Sequence, residues 1–278
     1  MDGILLINKE ANMTSHDVVN KVRRILKTKK VGHCGTLDPD ATGVLVVCVN
    51  KATKALQFLT SENKEYIATL CLGVSTDTYD ASGTVTEEKE FTGIDNVEDV
   101  FQSFLGPQLQ IPPIYSAIKV NGKKLYEYAR NNEEVVIEPR NVEINEIEIL
   151  DIYDNYITFR VKVSKGTYIR SLCVDIAKKL GYPGHMSKLI RSMSGDFKLD
   201  ECFSLDDVDQ GNFKMLSLEE AFASFDKYVV EDENIVYHGK KIQSDINKEV
   251  VVVNKDGKVL AVYGPDGYGY LKSIRGLF

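Results

Sequence analysis

The sequence predicts an α+β fold: a large mixed-sheet domain followed by a small β-rich module. Three observations predict it. Apolar runs of strand length, GILLIN at 3–8 and VLVVCV at 44–49, are short and rich in β-formers. Between them, TSHDVVNKVRRILK carries apolar residues at helical spacing. The last fifty or so residues hold only short β patterns separated by turns.

Each element has its own reason. Thr14 or Ser15 caps the first helix, and Asp17 lies in the first turn, where the dipole favours a carboxylate. Val18, Val19, Val22, Ile25 and Leu26 form its apolar face. ATKALQFL, 52–59, reads as a short helix. KEYIATLCLG, 64–73, reads as a strand with Tyr66, Ala68, Leu70 and Leu72 on one face. GVSTDTYDASGTV is rich in turn residues, and an acidic stretch then leads into a helix, VEDVFQSFLG, at 97–106. Prolines in QIPPIYSAIK exclude a regular start there. NGKK is a turn and KLYEYAR a short helix. Residues 142–153 and 156–164 form a strand pair joined at Asp154 and Asn155. A helix at about 170–180 ends at Gly181. A weakly patterned acidic break falls at 225–232. IVYHGKKI, EVVVVN, KVLAVYG and GYLKSI follow as β segments, with turns at Asp256-Gly257 and Asp266-Gly267. The expected division is residues 1–228 and residues 229–278.

Composition narrows the function classes. No apolar run approaches the roughly 20 residues that span a bilayer. The start lacks a basic n-region, so no secretory signal is read and the cytoplasm is the expected location. Five cysteines at wide spacing, with no CxxC, argue against a disulfide framework and against zinc. No metal and no cofactor are expected. The net charge of −7 hides alternation: +4 over residues 1–60, −8 over 61–110, +3 over 111–195 and −6 over 196–278. Nucleic-acid affinity needs a local positive surface rather than a basic total. Lys21, Arg23, Arg24, Lys119, Lys123, Lys124, Lys162 and Lys165 are the candidate phosphate contacts in the two basic blocks. Each also has a plain reading as a solvated surface charge.

The stretch VGHCGTLDPDATGVL, 31–45, sets Asp38 between a Gly-rich turn and a proline, just before an apolar run. Locally, an aspartate there reads as a turn former. Five segments together say more: GILLINKEANMTSHDVV, VGHCGTLDPDATGVL, KEYIATLCLGVSTDTYDASG, PPIYSAIKVNGKKLYEYAR, and VSKGTYIRSLCVDIAKKLG with GHMSKLIRS soon after. In order and spacing they resemble the bacterial TruB-type tRNA pseudouridine synthases over roughly residues 3–195. The final module is similar in pattern and position to the PUA-type RNA-binding domain of many members. Asp40 departs from the apolar residue many relatives carry, and Ser192 from the arginine some carry.

The resemblance implies conversion of uridine 55 in the tRNA T loop to pseudouridine. It implies Asp38 as the catalytic aspartate, Arg170 as its cationic partner and Tyr66 as the stacking platform for the target uracil. It places Tyr168 and Leu189 along the pocket, His33 against the T loop and Lys9 near the wall. The partner implied is the T stem-loop of tRNA, with no obligate protein partner and a monomeric enzyme. The chemistry is consistent with these residue types. An ionised carboxylate in a partly dry pocket needs a nearby cation, and arginine supplies one. A base hidden in a folded loop must be extruded, and it then needs a flat partner. The Tyr66 phenol is a further candidate to take the C5 proton. A cation at a helix N-terminus opposes the dipole, which points to a specific anionic partner for Arg170.

Two other classes compete. A glycosidase would use Asp38 and Asp40 as a carboxylate pair, and the absence of tryptophan counts against it. A non-catalytic RNA-binding or tRNA-folding protein would use the same basic surface and pocket.

Overall fold

A computed structural model describes residues 2–60 and 63–278. The chain forms two compact units: Met1–Pro39, Val44–Ser61 and Asp196–Phe278 in the first, Asp40–Gly43 and Glu62–Gly195 in the second.

In the first unit the strand β1 (Gly3–Lys9), with Ile4–Ile7 as its buried apolar run, is followed by α1 (Ser15–Ile25). Thr14 caps the helix: its hydroxyl accepts from the Asp17 N–H at 3.1 Å, and the Asp17 carboxylate accepts from the Thr14 N–H at 2.9 Å. The Thr14 hydroxyl, 2.6 Å from the same carboxylate, and then the Thr14 N–H lower the Asp17 pKa. Val18, Val19 and Val22 are buried against Leu5, Ile7, Leu45 and Val47. β2 (Val31–Cys34) pairs antiparallel with β3 (Thr42–Val49), His33 opposite Val47. The expected helix at 52–59 is a 3-10 segment, Asn50–Ala55, that widens into a single α turn, Leu56–Leu59. The chain after Asp196 returns to β1, with Phe203 donating to the Leu6 carbonyl and Ile4 donating to Leu216, at 2.9 and 2.8 Å.

The unit closes with a five-stranded sheet: Lys227–Val229, Val250–Val253, Val259–Pro265, Tyr270–Gly276 and Ile242–Gln243, in that spatial order. Its strands Val250–Val253 and Val259–Pro265 are buried on both faces. Val250, Val252, Leu260, Tyr263 and Leu271 face Val230 and Val236. Val251, Val253, Val259, Val262 and Leu277 share a core with Ile4, Leu6, Val44, Val46 and Phe222. The IVYHGKKI segment differs from its expected strand: Asn234–Tyr237 is one helical turn and only Ile242–Gln243 is extended. The Asp232 carboxylate accepts the Asn234 N–H at 3.0 Å and starts the turn. Gly239, at φ 62°, stops it.

The second unit is built on β4 (Lys64–Leu72), flanked antiparallel by Gly184–Ser194 and Tyr156–Val163. Arg140–Tyr153 and Gly106–Gln110 continue the sheet. The first two residues of β3 pair parallel with Ile190 and Arg191, which makes the sheet mixed. The approach is close: a Cβ on Gly43, whose φ is +104°, would lie 2.2 Å from the Arg191 carbonyl oxygen. Ala68, Leu70 and Leu72 are buried on one face of β4, as their spacing predicts. The hairpin turn falls at Asp154, φ 52°, and Asn155. The helix expected at 97–106 is shorter, Val97–Gln102, because Gly106–Gln110 peels off as an edge strand.

Candidate active site

The first unit holds the carboxylate. Asp38 sits half-buried in the turn between β2 and β3, after Gly35 at φ 70°. Lys9, at the end of β1, is fully buried. Its ammonium donates to three carbonyls: Pro39 at 2.8 Å, Met13 at 2.7 Å and Glu10 at 2.8 Å. One side chain thus ties the residue after Asp38 to the 10–13 loop, which gives Lys9 a structural task in addition to the wall position expected of it. His33 is half-buried on β2. Lys21 and Arg24 are exposed on α1, whereas Arg23 donates to Asn20 Oδ1 and to the Val31 carbonyl, both at 3.1 Å.

The second unit gathers Tyr66, Tyr168, Arg170 and Leu189. Tyr66 lies on β4 opposite Val161 on one side and Arg191 on the other. Leu189 stands opposite Ala68, so Tyr66 and Leu189 point to the same face of the sheet. Tyr168 is the N-cap residue of the helix Ile169–Lys179. Gln110, itself buried, holds the Tyr168 backbone by both ends of its amide: Oε1 accepts the N–H at 2.8 Å and Nε2 donates to the carbonyl at 3.1 Å.

Arg170 is buried in the first turn of that helix. Its guanidinium donates to the Thr78 carbonyl and the Tyr115 carbonyl, each at 3.1 Å, and pairs with Asp80 at 3.4 Å. Asp80 is oriented in turn, accepting from Thr78 Oγ1 at 2.7 Å, Ser82 Oγ at 2.6 Å and the Ser82 N–H at 3.0 Å. Residue 79 between these partners has φ 65°, a conformation rare for a bulky side chain. The dipole argument for an anion beside Arg170 is therefore met within this unit by Asp80. Sequence reasoning missed Asp80 and Gln110. The signals for Asp80 were its place in the turn-rich 73–85 stretch and within the KEYIATLCLGVSTDTYDASG segment.

Removing the Asp80 charge takes an anionic partner away from the buried Arg170 guanidinium. A hydrogen bond to a charged group contributes about 1.5–3 kcal/mol. Asp80→Asn should therefore lower the single-turnover rate roughly 10- to 100-fold while RNA affinity changes less. A wild-type rate would mean that Arg170 is held without it.

The remaining basic candidates divide. Lys119 and Lys165 are exposed. Lys123 pairs with Glu133 at 2.6 Å and lies over the Tyr128 ring; Lys124 lies over Tyr126, 5.3 Å from the ring centroid. Lys162 pairs with Glu146 at 3.3 Å on the sheet face opposite Tyr66. Among the described residues no group of three or more His, Cys, Asp or Glu is arranged to hold a metal ion. No helix there is long and apolar enough to cross a membrane. Burial pushes the Cys173 thiol well up, out of the reactive range.

A carboxylate on a stiff turn in one unit, and a strand tyrosine and a buried guanidinium in the other, are the groups that base isomerisation calls for. The N-terminal domain of the TruB family of pseudouridylate synthases matches residues 23–169, and the C-terminal domain of tRNA pseudouridylate synthase B matches residues 170–230. The tRNA pseudouridine synthase B of Bacillus cytotoxicus is 42% identical, over 99% of this chain and 97% of its own length. That of Bacillus subtilis is 43% identical, over 95% of this chain and 93% of its own. Among solved structures, a chain in the crystal structure of a Cbf5-Nop10-Gar1 complex matches with TM-score 0.78 and 26% identity, covering 99% of this chain and 85% of that one. A chain of an H/ACA RNP bound to a substrate RNA containing 2'-deoxyuridine matches with TM-score 0.75 and 25% identity, over 99% and 85%. On these matches, which run the length of the fold, the chain belongs to the TruB family and is a pseudouridine synthase.

Proposed function

We propose that this enzyme acts on tRNA and isomerises uridine 55 in the T loop, with Asp38 as the essential carboxylate. The observation that carries the substrate is 42% identity, over 99% of the chain, to a protein named tRNA pseudouridine synthase B. The position in the loop rests on the five motif segments, which stand in order and in register with that family.

The reaction breaks the N1–C1′ bond, turns the uracil and joins C5 to C1′. N1 gains a proton and C5 loses one, so the product is an isomer and no co-reactant is consumed. The charged Asp38 carboxylate drives the cleavage, by adding to C1′ or by assisting departure of the base. Arg170 is the cation that supports the charged form. Tyr66 stacks on the extruded uracil, with Leu189 and Tyr168 as further walls, and its phenol is the candidate acceptor of the C5 proton. His33 contacts the loop, and Lys9 contributes by fixing the turn.

Backbone contacts to the tRNA come from the two basic blocks. The exposed Lys21, Arg24, Lys119 and Lys165 are the preferred candidates, ahead of Arg23, Lys123, Lys124 and Lys162, which have partners in their own unit. Residues 1–228 carry catalysis, and residues 229–278 act as a PUA-like RNA-binding module. The enzyme works as a monomer in the cytoplasm with no obligate protein partner and no cofactor.

Tritium release from tRNA transcripts labelled at uridine C5 tests this reading. Release of one equivalent, lost when uridine 55 is replaced by cytidine, is expected; release that survives the replacement would move the target elsewhere. Base stacking on an aromatic side chain contributes about 1–3 kcal/mol. Tyr66→Ala is accordingly expected to lower turnover by roughly 10-fold or more, and a near-normal rate would remove Tyr66 from the site.

A further inference from the structure

Ser15 opens α1 and is only 1% exposed. Its hydroxyl is engaged entirely with one distant residue. The Leu37 N–H donates to Ser15 Oγ at 2.9 Å, and Oγ donates to the Leu37 carbonyl at 3.2 Å. Leu37 is itself buried and directly precedes Asp38. A hydroxyl can donate once and accept at the same time, so one small side chain satisfies both peptide groups of a buried residue. Alanine would leave both without that partner.

The other side of Asp38 is held as well, through the Lys9 ammonium on the Pro39 carbonyl at 2.8 Å. Asp38 is thus suspended between two backbone units, each fixed by a buried side chain. The Ser15 anchor is firm because α1 is firm: the Thr14 and Asp17 capping box closes its first turn, and Val18, Val19 and Val22 set it in the core.

We propose that Ser15 is a positioning residue for the isomerisation. It acts through Leu37, holds the Asp38 carboxylate at the geometry of reaction, and makes no contact with the RNA. Misplacement of a reacting group by about 1 Å costs on the order of 100-fold in rate, so loss of this grip should appear in the chemical step and leave substrate binding alone. The inference rests on Asp38 being the essential carboxylate.

The test compares Ser15→Ala, Asp38→Asn and Val252→Ala, the last a cavity in the C-terminal sheet far along the chain from the turn. Single-turnover rates are measured at saturating tRNA, with tRNA affinity and melting temperature for each variant. Ser15→Ala is expected to lose about 30- to 100-fold in rate, with affinity within about two-fold of wild type. Val252→Ala should melt earlier yet keep its rate within about two-fold, since a core cavity lowers stability without touching the turn. Ser15→Cys keeps a weaker donor and acceptor in place, so it should fall between wild type and alanine; it carries the test if Ser15→Ala does not fold. With Asp38→Asn inactive, a wild-type rate in Ser15→Ala would overturn this inference alone. An equal loss of rate in Val252→Ala would also overturn it, since general destabilisation would then suffice. Turnover by Asp38→Asn would overturn both this inference and the reading of Asp38.

Discussion

Asp38→Asn is expected to abolish pseudouridine formation while the protein still folds and still binds tRNA. Asparagine keeps the size and the turn-forming capacity of aspartate but has no charge to stabilise cleavage of the glycosidic bond. The backbone on the Pro39 side is fixed independently by Lys9, so the turn should keep its shape. Removing an enzyme's nucleophile typically costs on the order of 10^4-fold or more in kcat, and a loss of that size is expected in tritium release. Affinity should stay within a few-fold, because phosphate contacts dominate RNA binding and should weaken as salt rises. Continued multiple turnover would remove Asp38 from the mechanism. A wild-type chain that binds tRNA without releasing tritium would favour a tRNA-folding role instead.

Deleting residues 231–278 should abolish folding of the first unit along with any RNA contacts made by the module. Val251, Val253, Val259, Val262 and Leu277 are at most 3% exposed, in a core shared with β1 and β3. Burying each such side chain stabilises by about 1.5–3 kcal/mol. Five of them together contribute about 8–15 kcal/mol, as much as the whole net stability of a typical domain. The truncated chain is expected to be insoluble or to lack a cooperative thermal transition, and to be inactive. A milder form is Leu277→Ala, which should cost about 2–5 kcal/mol. At about 2–4 °C per kcal/mol for a chain of this size, the melting temperature should fall by roughly 4–20 °C. A soluble, active 1–230 fragment would show that the shared core is dispensable. In this packing the C-terminal sheet supports the unit that carries Asp38, whatever it also does for RNA.

Elements with a strong period were legible. The helical spacing of Val18, Val19 and Val22 and the alternation along β4 both gave the right element and the right buried face. Two weakly patterned elements were not. Gly106–Gln110 is an edge strand whose Leu109 is largely exposed, so it buries too little to leave a pattern. Asn234–Tyr237 has β-favouring residues but follows a turn in which the Asp232 carboxylate accepts the Asn234 N–H.

For the site, the motif segments nominate Asp38, Tyr66 and Arg170 by kind and by order. They gave no account of what holds them. Asp80 pairs with an arginine 90 positions away, Gln110 grips a backbone 58 positions away, and Ser15 grips one 22 positions away. Composition and periodicity report how a residue behaves among its near neighbours, because helix and strand geometry repeat over a few positions. The sequence by itself therefore determined the chemistry carried by the chain and the local elements that bear it. Only the tertiary structure decided which side chains immobilise the reacting groups: such a partner needs just the right donor or acceptor at about 3 Å, and folding brings it there from anywhere in the chain.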